Sequence, residues 1–493
     1  MRPSGSTLLL GVALLSCASA PLAPVQPAAQ AALVPVAAAP WKHTPPPSPL
    51  AATPVPAVSR LTLPNGLRVV VVEHHRRPLV MVSLLLPRGA LSDPPESAGL
   101  TYLAVNLASD YYEHSPDGEP LLEEKSFRRQ VAELGGAASV AVDSDFSMIR
   151  ISGYRQDASV YLRMIAEAVA RPRHGSQTFR ARRNAAFNAI EDLESSDPDA
   201  LRQVIGEAAF GAGQSYSRSP WGDQESLAVM GLEDVVTQQQ AVFVPEGATL
   251  LVVGDVRADQ MLAAARSAFG RWRGASTPLP RVVPLPSKSR AGDIGYLERH
   301  SASTLVVCAT RPLQDLRVSD AALDVLAAML GQGLGSRLGT TLREQNGLTY
   351  WAEAEIVHRQ QSRAFVACSA LRADQSQEGV RLFRQVLNVA RDALPSAEEV
   401  KRAKARRLAE LDEAYGDMLH ASETWTKAIV IGSGSPRLAE EWAEIEKVTA
   451  EDIQKVARVV LKANTIRWVV SGDRRAASRA TEANSLGRLY VPK

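Results

Sequence analysis

The sequence lacks a charge imbalance, any apolar run of membrane-spanning length and an abundance of cysteine. Its 493 residues carry 55 Lys and Arg against 53 Asp and Glu, with no basic block, which argues against nucleic acid as a partner. No apolar run reaches the ~20 residues that a membrane-spanning helix needs. The 45% hydrophobic content is ordinary for a globular protein, and the length predicts two to four domains.

The N-terminus has the features of an export signal. Arg2 supplies a positive charge, and Thr7–Leu15 form a short apolar stretch. The stretch ends in Leu14-Leu15-Ser16-Cys17, which resembles a bacterial lipobox, where small residues precede a cysteine whose thiol receives a lipid. We therefore predict a lipoprotein signal peptide over residues 1–16, with Cys17 as the lipid attachment site.

The residues after this cysteine extend the prediction. Ala18, where Asp would favour retention in the inner membrane, favours an anchor in the outer membrane that faces the periplasm. An ordinary signal peptide cut near Ala20 is the alternative. Residues 17–58 are rich in Ala and Pro and poor in charge, a composition typical of an extended, semi-rigid tether.

The two remaining cysteines, Cys308 and Cys368, each lie in an apolar run that is typical of a strand. In an exported chain they could form a disulfide. Buried free thiols are the interpretation that the composition of the two runs favours. The sequence leaves both possibilities open.

Periodicity predicts strands and helices in mixed order. Leu61–Val72 read as a strand, a Pro-Asn-Gly turn and a second strand, and Leu79–Leu86 as a third strand. Ser97–Ser109 and Arg180–Leu193 have helical patterns. This order indicates an α+β fold instead of a regular parallel βαβ series.

An internal repeat divides the chain. Asp234 begins a helix and is followed, twenty residues later, by Gly254 at the end of an apolar strand. Asp452 and Gly472 repeat this spacing 218 residues further on. Two copies at one offset indicate a duplication. We predict a first domain over 59–274, a Pro- and Ser-rich linker over 275–291 and a second domain over 292–493.

Several short motifs, in order and spacing, resemble the M16 metallopeptidases, the family of insulin-degrading enzyme, pitrilysin and the mitochondrial processing peptidase. The resemblance covers nearly all of residues 59–480. It implies two homologous domains, each a mixed, mostly antiparallel β-sheet with helices packed on one face, joined as a clam-like pair. The motifs are Leu63–Val70, Arg88–Ala90, Gly99-Leu100, Glu133–Gly136, the two strand ends in Gly-Asp, and Gly335–Leu338 leading into Leu342–Glu344.

The family's zinc motif is His-x-x-Glu-His, in which two histidines on one helix face share a zinc and the glutamate acts as general base. In the frame set by Gly99, these positions hold Tyr102, Val105 and Asn106. The third ligand, a later glutamate, falls near Asn188. None of the four is a good zinc ligand or base, so the resemblance predicts a degenerate site without metal.

A variant of the motif follows eight residues further on. Asp110, Glu113 and His114 have the same spacing, with Asp in place of the first histidine. All three residue types can bind zinc, but a turn signal follows them directly. An exposed polar helix end is the interpretation we favour, with an autonomous zinc peptidase as the alternative.

The second half retains a different motif. In the family, an Arg and a Tyr seven residues apart contact the bound peptide, and the phenol donates towards the scissile carbonyl. Arg343 and Tyr350 match that spacing and are predicted to bind substrate. The nearby Gly331–Gly335 are predicted to end a helix with permissive glycines.

Loss of the zinc motif with retention of the Arg/Tyr pair is the pattern of a non-catalytic subunit in some small bacterial M16 enzymes. The resemblance therefore predicts a heterodimer with a zinc-bearing M16 homologue, which acts on an unfolded peptide. No cofactor is expected on this chain, and zinc is expected on the partner. A lipid-anchored peptide-binding or scaffold protein without proteolytic role is the alternative.

Overall fold

The signal peptide, Cys17 and the tether up to residue 55 lie outside the residues that the structure describes, as does the predicted linker after residue 275. None of the described helices is long and apolar enough to cross a membrane. The computed structural model describes residues 56–108, 127–172, 175–195, 197–210, 215–275, 293–300, 302–314, 316–333 and 335–490.

Twelve strands are present in the described residues, and the first three match the sequence pattern closely. The strands are β1 (Ala57–Thr62), β2 (Arg68–Glu73), β3 (Leu79–Leu86), β4 (Ala137–Val142), β5 (Ser147–Tyr154), β6 (Thr249–Gly254), β7 (Asp293–Glu298), β8 (Thr304–Pro312), β9 (Thr349–His358), β10 (Arg363–Arg372), β11 (Arg467–Gly472) and β12 (Arg488–Tyr490).

Fifteen α-helices accompany these strands in the described residues, together with single turns such as the wide helical turn over Gly339–Glu344. The helices are α1 (Leu100–Ala108), α2 (Phe127–Glu133), α3 (Ala158–Ala170), α4 (Ser176–Ser195), α5 (Asp197–Phe210), α6 (Gln224–Val229), α7 (Leu232–Val242), α8 (Ala258–Phe269), α9 (Asp320–Gly331), α10 (Ser376–Asp392), α11 (Ala397–Glu413), α12 (Met418–Val430), α13 (Leu438–Lys447), α14 (Ala450–Val460) and α15 (Arg474–Ala483).

The strands form two six-stranded sheets whose topology matches except at one edge strand, β1 in the first sheet and β12 in the second. The first has the order β1-β2-β6-β3-β5-β4 and the second β12-β7-β11-β8-β10-β9. In the first sheet β2 and β6 are parallel and the other neighbours are antiparallel. In the second, β7 pairs in parallel with both β11 and β12. The predicted α+β class, with two mixed and mostly antiparallel sheets, is confirmed.

The repeated Glu-Asp pairs begin equivalent helices. The Asp234 carboxylate accepts a hydrogen bond from the Gly231 N–H at 2.8 Å, and Asp452 accepts one from the Thr449 N–H at 3.0 Å. Each aspartate thereby satisfies a donor that would be left unpaired at the helix start. The repeat in the sequence therefore marks the start of one helix in each half, α7 and α14. Each helix is followed by a strand, β6 or β11, that occupies the third position of its sheet.

Each sheet is covered on one face by helices of its own half. In the first half, α3 and α8 pack over valines and leucines of β2, β3 and β6. In the second, α9, α10 and α14 form the corresponding layer. Burial of these apolar side chains is the main source of stability for such layers.

The opposite face of each sheet is covered by a helix of the other half, which the sequence did not indicate. From the first half, α5 places Val204 against Val469 and Val366 of the second sheet. From the second half, α12 places Trp425 against Val72 and Val253 of the first sheet. The two halves are thus joined by a reciprocal exchange of covering helices.

Cys308 and Cys368 form a disulfide, so the interpretation as free thiols is wrong. The two residues face each other across the antiparallel β8–β10 pair, with Cα atoms 4.1 Å apart. Both lie in the apolar cluster beneath α5. The pairing depends on strand register, which the two apolar runs did not reveal.

The tips of two hairpins meet where the halves adjoin. Gln360, in the β9–β10 turn, donates its N–H to the Asp145 carboxylate in the β4–β5 turn at 3.0 Å. The Tyr216 hydroxyl donates to Asp145 at 2.7 Å and accepts from the Gln361 N–H at 3.1 Å. An ion pair between Arg359 and Asp143 lies beside this network.

Candidate functional site

The start of α1 is held by a buried carboxylate. Asp93 is 4% exposed and accepts hydrogen bonds from the Gly99 N–H at 3.0 Å and the Thr101 N–H at 2.8 Å. Gln238 of α7 donates to the Thr101 hydroxyl at 2.7 Å. Burial raises the pKa of Asp93 to about 6, although the hydrogen bonds from Thr101 and Gly99 oppose the shift. These contacts fix the helix that carries the zinc-motif positions.

A close backbone approach places an aromatic ring over this helix. Gly99 has φ +90°, and a Cβ there would lie 2.5 Å from the Trp221 carbonyl oxygen. Gly222 has φ +88°, and its Cβ would lie 2.3 Å from the Ala98 carbonyl oxygen. Only glycine fits both positions without strain. The segment 221–222 can therefore lie directly against the start of α1.

Tyr102, at the first zinc-ligand position, stacks on the indole of Trp221. The ring centroids are 5.3 Å apart and the planes are inclined by 14°. This geometry is a favourable offset stack, which commits the phenol to packing. Trp221 could not be anticipated from the sequence, because a contact between residues so far apart in the chain leaves no local signal.

The side chains at the other two motif positions on α1 are buried. Val105 is fully buried in the core of the first half. Asn106 is 6% exposed, and its amide donates to the Tyr102 carbonyl oxygen, one helical turn back, at 2.9 Å. Val105 has no atom that could bind a metal, and the Asn106 amide nitrogen is held by its own helix.

The fourth position lies on α4, which packs along α1. Phe179, Ala186 and Ile190 of α4 are buried against Leu103 and Leu107 of α1. Asn188 lies on the same helix but is exposed. The structure brings the two helices together as the family frame implies, without a carboxylate at the position of the third ligand.

The charges around Tyr102 also disfavour a cation. Burial raises the pKa of its phenol, and the guanidinium groups of Arg182 and Arg128 oppose that shift by stabilising the phenolate. Two positive groups close enough to act on the phenol would repel a divalent metal. The residues present therefore do not fit zinc, and we derive no hydrolytic step at this position.

The variant motif Asp110, Glu113 and His114 lies outside the described residues. Among the residues that the structure does describe, no group of three or more His, Cys, Asp or Glu side chains could hold a metal ion.

The Arg/Tyr pair lies at the edge of the second sheet. Arg343 is exposed in the wide helical turn that precedes β9, and Tyr350 is the second residue of β9, with 91% of its surface exposed. The chain between them turns through Gly347, and the Leu348 N–H returns to the Leu342 carbonyl oxygen at 2.8 Å. The turn places both exposed side chains beside the start of one edge strand.

A bulge sets the direction of Tyr350. Ser369 pairs with Ala352 and Leu371 with Thr349, so Tyr350 and Trp351 stand opposite one residue of β10. The Trp351 carbonyl oxygen accepts hydrogen bonds from the hydroxyls of Thr349 at 2.7 Å and Ser369 at 2.9 Å. The bulge therefore keeps its backbone groups satisfied, while it turns the tyrosine out of the sheet.

The end of α9 supports this strand from behind. A Cβ on Gly331 would lie 2.0 Å from the Ala354 backbone nitrogen, so the helix backbone contacts the β9 backbone with no side chain between them. The prediction that Gly331–Gly335 follow a helix agrees with the end of α9 at Gly331. The glycine at the contact has a further role, since it allows the helix to approach the strand.

Part of the chain is similar in sequence to known proteins. Residues 230–407, which include the Arg/Tyr pair, match the family model described as Peptidase M16 inactive domain. An uncharacterized zinc protease of Mycobacterium bovis is 23% identical over 82% of this chain and 91% of its own length.

Solved structures share the fold. The peptidase M16 inactive domain from Pseudomonas fluorescens superposes with a TM-score of 0.72 at 18% identity, over 85% of this chain and 98% of that chain. The periplasmic protease PqqL from Escherichia coli has a TM-score of 0.72 at 15% identity, over 88% of this chain and 50% of that chain. Residues 230–407 of this chain therefore match the M16 inactive domain, and the chain shares its fold with the solved M16 inactive domain from Pseudomonas fluorescens.

Proposed function

We propose that this chain is the non-catalytic subunit of a heteromeric M16-type zinc peptidase. In this proposal a zinc-bearing M16 homologue supplies the metal and the general base. Arg343 and Tyr350 of this chain contact the unfolded peptide that the partner cleaves. The zinc is bound by the partner, and the degenerate positions Tyr102, Val105, Asn106 and Asn188 have only structural roles.

The contrast between the two candidate sites carries the proposal. Val105 is fully buried and Tyr102 is stacked, whereas Tyr350 is 91% exposed. A large aromatic side chain held outside the sheet by a satisfied bulge has no packing role in this chain. An exposed phenol and an exposed guanidinium at the two ends of one turn suit a second surface, where the phenol can donate to a developing oxyanion and the guanidinium to carbonyl oxygens.

We further propose that the chain is exported and anchored by lipid at Cys17 in the outer membrane, with its folded body in the periplasm. The disulfide between Cys308 and Cys368 supports an oxidising compartment. The structurally similar PqqL is a periplasmic protease, which supports the same compartment. The Ala- and Pro-rich residues 17–56, which precede β1, would hold the body away from the lipid surface.

The test combines the full-length chain with a zinc-bearing M16 homologue from the same organism. Binding of the two chains and hydrolysis of an unfolded peptide are measured for the wild type and for Tyr350→Phe. Loss of one donor to an oxyanion lowers kcat about 10²–10³-fold, so a drop of this size is expected, with the affinity between the chains unchanged. Tyr490→Phe is the matched control, because Tyr490 is a 41% exposed tyrosine of the same half.

Equal turnover in the wild type and Tyr350→Phe would contradict the role given to this tyrosine. If no zinc-bearing homologue binds the chain, the heteromeric peptidase is wrong. In that case the lipid-anchored peptide-binding or scaffold protein takes its place.

A further inference from the structure

The segment that joins α9 to the wide helical turn over Gly339–Glu344 is rich in glycine. Gly333 has φ +80°, and open space surrounds the Cβ positions of Gly333 and Gly335 in the described structure. Both residues are exposed. Glycine without close neighbours leaves the backbone wide conformational freedom, so this segment does not by itself fix where the turn lies.

Two kinds of contact hold the turn on the second half. Leu338 and Leu342 are fully buried in the apolar core of that half. The Ser336 hydroxyl accepts a hydrogen bond from the Gly339 N–H at 3.2 Å, and its carbonyl oxygen accepts one from the Thr340 N–H at 2.8 Å. The leucines fix which side of the turn faces the core, and the serine satisfies the first donors of the turn.

An ion pair ties the same segment to a distant helix. The Arg337 guanidinium donates from Nε to one oxygen of Glu399 at 2.7 Å and from Nη2 to the other at 3.2 Å. The two side chains are 14% and 25% exposed. The guanidinium holds the pKa of Glu399 down to about 2. Two parallel bonds between planar groups fix direction as well as distance.

Glu399 is itself fixed at the start of α11. Its carboxylate accepts hydrogen bonds from the Ser396 N–H at 2.9 Å and from the Ser396 hydroxyl at 3.0 Å. The Glu399 N–H donates to that hydroxyl at 3.3 Å, which completes a capping box. Since α11 packs along α9, the ion pair fastens Arg337 to the frame of the second half.

Arg337 leaves one of its donors unused. Its Nη1 is buried and has no hydrogen-bond partner in the described part of the chain. A buried donor without a partner lowers stability, so hydrogen bonding alone does not account for the placement of this guanidinium. The geometry that the pair enforces on the turn offers an account.

The exposed end of the turn carries Arg343, which follows the buried Leu342. The Gln345 N–H reaches back five residues to the Thr340 carbonyl oxygen at 3.0 Å, a wide spacing that is frequent at functional sites. Residues 337–344 are continuously helical. A displacement of Arg337 would therefore carry Arg343 with it.

We propose that Arg337 is a positioning residue for peptide hydrolysis, because its ion pair with Glu399 holds the helical turn where Arg343 can reach the peptide. Contact with the peptide itself belongs to Arg343 and Tyr350. The inference rests on the proposed function, which gives Arg343 a reaction to serve.

The first test uses the full-length chain alone. Arg337→Lys keeps the charge and one bond to Glu399 but loses the two-bond geometry. Amide hydrogen exchange at Gln345 is expected to be about tenfold faster in this variant than in the wild type, because the turn opens more often. Arg407→Lys is the matched control and should exchange like the wild type. Arg407 is a 17% exposed arginine of the same half, and its carboxylate partners lie on α9 and α11.

The second test measures hydrolysis of an unfolded peptide with the zinc-bearing homologue bound. Arg337→Lys should lower kcat/KM about tenfold to a hundredfold, with the affinity between the chains unchanged, since small displacements of a contacting group have effects of this size. In an Arg343→Gln background the same change should have little further effect, because Arg337 acts through Arg343.

Unchanged exchange at Gln345 in Arg337→Lys would overturn the inference and leave the proposed function standing. An equal loss of kcat/KM in both backgrounds would overturn the coupling to Arg343. Faster exchange with full turnover in both Arg337→Lys and Arg343→Gln would overturn the proposed function, and the inference with it.

Discussion

The Tyr216 hydroxyl and the Asp145 carboxylate form a buried hydrogen bond of 2.7 Å where the two halves meet. Tyr216 is 4% exposed and Asp145 is 7% exposed. The same hydroxyl accepts from the Gln361 N–H, so one oxygen atom serves both hairpin tips. The junction therefore depends on a few polar atoms that water does not reach.

Tyr216→Phe should lower the free energy of unfolding by about 1–3 kcal/mol, because it removes a hydrogen bond to the buried Asp145 carboxylate. Chemical denaturation of the two proteins measures the difference. In a double-mutant cycle with Asp145→Ala the two effects should be non-additive, since each change removes the same bond. Equal stability of Tyr216→Phe and the exposed control Tyr490→Phe would show that the junction does not need this hydroxyl.

Asp93 should make stability depend on pH. Its pKa is raised from 3.8 to about 6 by burial, so the carboxyl is neutral in the folded chain at pH values where it ionises in the unfolded chain. Its contribution is fully present below about pH 4 and is lost as the pH rises through about 6. The free energy of unfolding of the wild type relative to Asp93→Asn should fall by about 2–3 kcal/mol from pH 4 to pH 7. A difference that stays flat over this range would show that Asp93 titrates normally.

Rebuilding the zinc motif should fail. The variant Tyr102→His/Val105→Glu/Asn106→His restores the residue types but places a carboxylate in the core, where Val105 is fully buried. An unpaired buried charge costs at least about 3 kcal/mol, so the variant should be destabilised by that amount or more. Elemental analysis after exposure to zinc should find well under one metal per chain, in the variant as in the wild type.

The variant Tyr102→His/Asn106→His, which leaves Val105 in place, separates the two effects. It should remain folded and still bind no zinc, because the guanidinium groups of Arg182 and Arg128 act on this position. One tightly held zinc per chain in either variant would show that the site is closer to a metal site than its packing indicates. One zinc in the wild type would point instead to Asp110, Glu113 and His114.

The disulfide should contribute measurably to stability. Cys308→Ala/Cys368→Ala opens a loop of 60 residues, and loss of such a crosslink lowers the free energy of unfolding by about 2–4 kcal/mol. Denaturation of the oxidised wild type, the reduced wild type and the double variant gives the comparison. If reduction leaves the midpoint unchanged, the apolar packing beneath α5 holds the two strands without the crosslink.

Much of the fold could be predicted from the sequence, because its signals are local. The Pro-Asn-Gly turn and the apolar alternation gave β2 and β3, and Asp234 and Asp452 gave the duplication. The degenerate zinc positions came from the resemblance to the M16 family, in the frame set by Gly99. Each of these features depends on residues that are close together in the chain.

The features that the sequence did not reveal depend on contacts between distant residues. Val204 packs on Val469, and Tyr102 stacks on Trp221, with no local pattern in either pair to indicate the contact. The disulfide depends on the register of β8 and β10, in which Cys308 stands opposite Cys368. A shift of that register by one residue would turn the two side chains to opposite faces of the sheet. The outward turn of Tyr350 depends on a bulge that the period of the strand does not encode.

The reciprocal covering by α5 and α12 has a consequence for movement. Rotation of one half away from the other would expose the apolar faces of both sheets to water at the same time. A hinge between the halves is therefore too costly for a working cycle, and the chain should fold and unfold as one cooperative unit. The boundary between the two halves therefore stays closed for as long as the chain is folded, and the two sheets move as one body.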